Sequence, residues 1–405
     1  LKLLLTAFNI SKALSLKKEE KAPVDYSTIT NPYKGERYTI PFNFIRDWVI
    51  TNKLQLGRPI HSLKDHYLSM KQGPNGPTSL TIYKTILALS YDQIEWIKRF
   101  LSDKTIFTKF YGLNAKHGGV SIESRRPDAS YSPSKLKNWN LTGRLSIVHA
   151  PEAKERIIAI VDYFTQFALK PMSTSILRLL TKFPSDRTFS QNPYHSWQYP
   201  DHKYFSLDLK AATDRLPITL QEKLVEVLYN DKSLASAWRN LLGERTYYTP
   251  EGKPMHYAVG QPMGAYSSWA MLALTHHLIV AWAAHLCGLP GFTNYILLGD
   301  DIVIQHNKVA SKYKQVMSKL GVDISESKTH ESYDTYEFAK RWIHKGQEIT
   351  GLPLAGIALN IKSPTIIYMI LKDYFDKGNI YLAKTGLATL VCKVYYNLPL
   401  TKKNG

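Results

Sequence analysis

Cysteine is nearly absent: Cys287 and Cys392, each in apolar surroundings, are the only two in 405 residues. Two isolated cysteines supply neither a disulfide framework nor a zinc site, and they suit packing in a reducing compartment. No uninterrupted apolar run reaches the ~20 residues that a membrane-spanning helix needs. Acidic residues are scarce beside basic ones, 33 against 52, which leaves a net charge of +19 and a pI near 9.5. Such a surplus repels itself unless a polyanion binds, so nucleic acid is the leading partner; a basic ribosomal or membrane-surface protein would share the number. Leu1–Lys21 mixes apolar and basic residues with Glu19 and Glu20 and carries no targeting pattern. The first residue is not Met, so a fragment of a longer chain is expected.

What is present is an ordered globular composition, 44% hydrophobic and 12% aromatic, long enough for one multi-lobed unit or two to three subdomains. Residues 22–80 show weak periodicity apart from Phe42–Lys53, and Gln72–Pro77 is a loop by its Gly and Pro content. Apolar spacing over Ser79–Phe100 predicts two helices, with Ser90 and Asp92 as candidate caps of the second. Residues 112–143 are polar and loop-like, either a surface connection or a mobile basic element over a channel.

The chemistry-bearing stretches follow in order. Arg144–Val161 reads as strand, Pro-containing turn, strand. Lys154 and Arg156 alternate on the second strand and so share a face. Two such cations suit a triphosphate between them, or pairing with Glu152 or Glu155. A helix over Phe164–Leu180 leads to a polar loop carrying Arg187. Next, a short apolar strand, Tyr204–Asp208, ends in a carboxylate. Asp214 lies just beyond and either faces the same cavity or caps a helix, and another helix starts near Pro217. The loop Gly260–Trp269 holds Gly264, Ser267 and Ser268 ahead of a helix over Ala270–Leu286, a place where backbone N–H groups can approach phosphate or sugar. Within that helix His276 and His277 point to different faces, which favours packing or hydrogen bonding over metal binding.

Two apolar runs, Tyr295–Leu298 and Ile302–Ile304, flank Gly299, Asp300 and Asp301 and predict a tight hairpin. Burial would penalise adjacent carboxylates at its tip, and Mg²⁺ or Mn²⁺ would relieve that penalty. The other reading is a solvent-exposed turn. An amphipathic basic helix over Lys308–Leu320 follows, then a strand and loop carrying Lys328. Tyr336–Trp342 alternates aromatic and cationic residues like a strand facing nucleic acid. The tail from Ser363 is apolar and helical and ends in a basic terminus.

In this order the stretches resemble the palm of viral RNA-dependent RNA polymerases. The wording of Pro151–Ala159, Asp208–Pro217, Gly260–Trp269 and Leu298–Ile304 is similar to that of mitovirus replicases, a match covering about half the chain, Arg144 to Trp342. The resemblance implies an α+β right-hand fold with an antiparallel palm sheet packed on helices. Its divisions would be an extension and fingers over 1–143, fingers with the basic strand over 144–203, a palm over 204–335, and a palm–thumb hairpin with short thumb over 336–405. It implies an enzyme that adds NTPs to RNA on a single-stranded RNA template, in mitochondria. Asp208 and Asp300 would ligate two Mg²⁺ (or Mn²⁺) ions, with Asp301 as a weaker ligand. Lys154 and Arg156 would hold the triphosphate, helped by Arg144 or Arg187. Lys328 would be the general acid. Asp214 and Ser268 would read the ribose, Gly264 and Ser267 would lie against RNA, and Phe338, Lys340 and Arg341 would grip the nascent strand. Two departures stand out: Leu272 occupies the place one turn after Ser268 where many such polymerases have Asn, and the region after Trp342 is short for a thumb. An inert RNA-binding derivative and a reverse transcriptase are the alternatives. The Leu-Gly-Asp-Asp tip speaks against the latter, in which an aromatic-x-Asp-Asp tip is expected.

Overall fold

The computed structural model describes residues 2–8, 24–36, 38–59, 70–101, 140–150, 154–376, 386 and 389. The loop element expected over 112–143 and the tail beyond 376 lie almost wholly outside the described residues. The Ser79–Phe100 periodicity resolves into helices Thr78–Ala88 and Tyr91–Lys98. Ser90 starts the second: its Oγ accepts from the Gln93 N–H at 3.2 Å, and Gln93 Oε1 accepts from the Ser90 N–H at 3.1 Å. Asp92 lies in the first turn, where its charge suits the helix dipole.

Thirteen strands are described. A minimal hairpin joins β1 (Gln72–Gly73) and β2 (Gly76–Pro77). Strands β3 (Gly143–Ala150) and β4 (Lys154–Val161) pair antiparallel along their whole length, as Arg144–Val161 predicts. Then come β5 (Tyr204–Asp208), β6 (Tyr247–Tyr248), β7 (Pro254–Met255), β8 (Tyr295–Leu298), β9 (Asp301–Gln305) and β10 (His330–Ser332). A last antiparallel sheet holds β11 (Thr335–Phe338), β12 (Arg341–His344) and β13 (Gln347–Glu348).

The central sheet has the order β10-β5-β9-β8 and is antiparallel throughout. Its two faces follow the period of two expected of strands. Leu207, Ile302, Ile304, Tyr295 and Leu297 enter the main core, while Ile296 and Val303 pack with Tyr336, Phe338 and Ile343 on the opposite face. Both faces of this sheet are therefore covered, and Asp208 and Asp301 lie together at one end of it.

The helix Ser268–His285 runs through the main core, and 14 of its 18 residues are buried. Apolar residues all round the helix are what such a central position requires. The helices Tyr163–Leu180, Ile218–Tyr229 and Asn307–Lys319 contribute to the same core. The Tyr163–Leu180 helix is fixed to the strands by a buried ion pair. Arg245 donates to Asp162 Oδ2 at 2.5 Å, to Thr165 Oγ1 at 2.7 Å and to the Thr142 carbonyl at 2.7 Å. Asp162 also caps the helix through the Thr165 N–H at 2.9 Å.

Because both side chains of this pair are fully buried, removing one strands the other's charge. Arg245→Leu is expected to destabilise the fold by about 3–5 kcal/mol in chemical denaturation; a loss below about 1 kcal/mol would show that the pair is not a joint of the structure.

Candidate active site

Pairing of β5 with β9 sets Asp208 opposite Asp301, and β8 joins β9 through Gly299 and Asp300. The hairpin is thus the tight one the sequence predicts. Gly299 has φ of +63°, a left-handed conformation in which a side chain is strained. A Cβ there would also sit 2.1 Å from the Trp269 indole, so the ring packs directly on the tip.

Burial raises the Asp300 carboxyl above the usual carboxylate range, and the nearby charge of Asp208 adds to the rise. Its own N–H, Arg156 and Lys328 work the other way. Asp301 is pushed up to about 7, first by burial, then by Glu337, Asp300 and Asp208. Its Oδ2 accepts the Ala339 N–H at 2.7 Å, which ties it to the β11–β12 turn. Lys328, in the short 3₁₀ turn Glu326–Lys328, donates to Asp208 Oδ2 at 2.6 Å. Three mutually repelling carboxylates and two cations therefore share one end of the sheet.

The loop before the Ser268–His285 helix is held on two sides. The Gly260 N–H donates to the Asp214 carbonyl at 3.0 Å, and the Ala159 N–H donates to the Met263 carbonyl at 2.7 Å. A cavity of about 470 Å³ opens between this loop, β4 and the Tyr163–Leu180 helix. Tyr163, Phe167, Tyr266 and Trp269 give it aromatic walls, with Gln166 and Lys170 among its polar groups.

Several candidates sit where the sequence suggests. Arg156 is exposed and its charge reaches Asp300, and Lys340 is exposed at the β11–β12 turn. Arg144 lies on β3 with a buried Nε that has no hydrogen-bond partner among the described residues. Asp214 is buried, raised to about 6 by loss of solvent, and accepts from Thr28 Oγ1 at 2.8 Å; Thr28 and Arg215 lower it in part. Ser268 is buried on the cavity wall. The side chain of Lys154 lies outside the described residues.

Others require correction. Arg187 is buried and donates to the carbonyls of Pro184, Asp186, Asn192 and Tyr194, so its guanidinium shapes its own loop and is not presented to a nucleotide. Phe338 is fully buried against β8 and β9 and cannot touch RNA. Arg341 is bound in a two-point pair by Glu348. Ser267 is buried, and its Oγ accepts from Trp238 Nε1 at 2.9 Å. Gly264 lines the cavity, but the need for glycine comes from β4: its φ is +117°, and a Cβ would lie 2.6 Å from the Ala159 carbonyl oxygen.

The histidines hydrogen-bond, as their adjacency on a helix suggests. His276 Nδ1 lies 2.8 Å from the Gly299 carbonyl and Nε2 2.6 Å from Tyr313 Oη. His277 bridges Tyr295 Oη at 2.7 Å and Asp186 Oδ2 at 3.0 Å. Trp269, Thr28 and His276 were not legible as site residues. Trp269 alone had a signal, a large aromatic at the end of a Gly/Ser loop.

The family model described as mitovirus RNA-dependent RNA polymerase matches residues 59–404. Over 347 residues the chain is 39% identical to an RNA-directed RNA polymerase of Cryphonectria parasitica mitovirus 1, covering 84% of this chain and 42% of that protein. It therefore spans less than half of that relative. It is also 34% identical over 228 residues to an uncharacterized mitochondrial protein of Arabidopsis thaliana, covering 53% of this chain and 86% of that one. Among solved structures, the RNA-dependent RNA polymerase of a human picorbirnavirus superposes with a TM-score of 0.56 at 13% identity, covering 85% of this chain and 68% of that one. That likeness is one of fold.

Gly299→Ala is expected to lose about 1–2 kcal/mol from its left-handed backbone alone, and more from the clash with Trp269. In a Trp269→Ala background only the backbone part should remain in chemical denaturation; equal losses in both backgrounds would contradict the contact.

Proposed function

Because the chain belongs to the mitovirus RNA-dependent RNA polymerase family, we propose that it adds nucleoside triphosphates to the 3′ end of an RNA strand on an RNA template. The observation that supports this most is the gathering of Asp208, Asp300, Arg156 and Lys328 at one end of the central sheet of a right-hand polymerase fold.

Membership of the family implies dependence on a divalent metal. Among the described residues no three His, Cys, Asp or Glu side chains are spaced to hold an ion by themselves. Mg²⁺ keeps several waters and is bound through one or two carboxylates plus substrate phosphates. Asp208 and Asp300 are the hard oxygen donors, and their mutual repulsion is what a cation would relieve. Asp301, tied to the Ala339 N–H, supports the pair from behind. When bound, two Mg²⁺ ions would acidify the attacking 3′-hydroxyl and neutralise charge on the leaving pyrophosphate.

In the reaction the 3′-hydroxyl gives up its proton to solvent water, a bond forms between the 3′-oxygen and the α-phosphorus, and the bond from that phosphorus to pyrophosphate breaks. Arg156 meets the incoming triphosphate, with Lys154 on the same strand two residues before it. Lys328 releases Asp208 and gives its proton to pyrophosphate, a transfer open to it because it is exposed and sits on a short turn. The buried Asp214, with Thr28 as its partner, reads the ribose hydroxyl. The aromatic walls of the cavity stack RNA bases, and the net charge of +19 holds the backbone. No described helix is long and apolar enough to cross a membrane. The relative named as a mitochondrial protein supports work in mitochondria.

Asp300→Ala should abolish Mg²⁺-dependent NTP incorporation on an RNA template while RNA binding and the thermal transition persist; incorporation at the parent's level would refute the assignment. Lys328→Leu should lower kcat by about 10²–10⁴-fold, read in single-turnover assays at saturating NTP. An unchanged rate would remove Lys328 from the chemistry.

A further inference from the structure

Asp300 can act only if its carboxylate is aimed, and the hairpin tip does not aim it unaided. Gly299 has no side chain to restrict the turn, and its φ of +63° is in the left-handed region. The next peptide plane carries the Gly299 carbonyl on one side and the Asp300 N–H on the other, fixed opposite each other by the trans amide. The Asp300 Cα is bonded to that plane, so the plane fixes the point from which the side chain projects. Whatever holds the carbonyl therefore fixes the base of the Asp300 side chain.

We propose that His276 is a positioning residue for Asp300, holding the Gly299–Asp300 peptide plane through its Nδ1–H. A carbonyl can only accept, so at 2.8 Å His276 Nδ1 is the donor to Gly299. Nε2 is then a lone pair, and the Tyr313 hydroxyl 2.6 Å away donates into it. Tyr313 comes from the Asn307–Lys319 helix, is fully buried, and stacks on the imidazole with ring centroids 5.7 Å apart. Burial holds the imidazole neutral, lowering it to about 4, which keeps the donor-acceptor polarity of the chain Tyr313, His276, Gly299 intact. The next residue, His277, grips Tyr295 at the far end of β8. One turn of the central helix thus fastens the strand at its base and at its catalytic tip.

The inference rests on the polymerase reading for its consequence, not for its geometry, and the test separates the two. His276→Asn keeps an N–H near the Nδ1 position, His276→Leu fills the space without a donor, and Tyr313→Phe removes the hydroxyl that donates into Nε2. Mn²⁺ binding is measured by electron paramagnetic resonance, imidazole tautomer by ¹⁵N NMR, and incorporation by steady-state kinetics on an RNA template. The parent should show the Nδ1–H tautomer. The leucine variant should bind Mn²⁺ and turn over about 10–100-fold less well, with the KM for NTP nearly unchanged, and asparagine should restore most of the loss. Should the leucine variant fail to fold, Tyr313→Phe should still weaken Mn²⁺ binding and shift the Nε2 resonance, which loses its hydrogen-bond donor.

An Nε2–H tautomer, or equal effects of asparagine and leucine, would overturn the proposal. So would Mn²⁺ binding unchanged in the leucine variant. A parent that orders the variants as expected in Mn²⁺ binding but incorporates no nucleotide would overturn the polymerase reading and leave the positioning role standing. A parent that binds no Mn²⁺ would overturn both.

Discussion

Strand β5 pairs with β9 so that Asp208 faces Asp301, and this register gathers the acidic groups at one end of the sheet. A slip of one residue would turn Asp208 into the core and send Leu207 out, which the two buried faces of the sheet forbid. The acidic end of the sheet is then an unavoidable concentration of negative charge in a half-buried place. The molecule offsets it with cations that can move or exchange, Lys328 and Arg156, and with one fixed backbone donor, the Ala339 N–H. A site that must accept and release charged substrate needs that mixture of fixed and exchangeable neutralisation.

The helix Ser268–His285 carries the rest of the organisation. Its start supplies the buried Ser268 and the Trp269 ring that covers Gly299; its middle supplies His276 and His277, bonded to the two ends of β8. The wall of the aromatic cavity and the aim of Asp300 are thereby set by one rigid element. Trp269 both lines the cavity and lies against Gly299, so one ring touches the cavity and the tip.

How much of this could be read from residues alone depends on whether the cause was local. The Gly-Asp-Asp hairpin was legible because two carboxylates between apolar runs conflict with burial. Asp208 at the end of an apolar strand was legible for the same reason. Phe338 was misassigned although its parity was visible: Tyr336 and Phe338 alternate with Glu337, which puts both aromatics on the buried face. Arg187 and Ser267 show the limit of similarity of wording, which gives a residue's place in a sequence but not the direction of its side chain. Arg187 turned into its own loop and Ser267 toward Trp238. Thr28 was beyond reach altogether, since its bond to Asp214 spans 186 residues of chain.

The central claim is that Asp208 and Asp300 jointly hold the catalytic cation. The most direct measurement is a crystal structure with Mn²⁺ and an NTP, phased to show manganese by its anomalous scattering. Manganese bound by one oxygen of each carboxylate at about 2.1 Å, with Lys328 drawn away from Asp208, is the expected result. Manganese bound elsewhere, or a Lys328–Asp208 contact unchanged at 2.6 Å with no metal between the carboxylates, would contradict it.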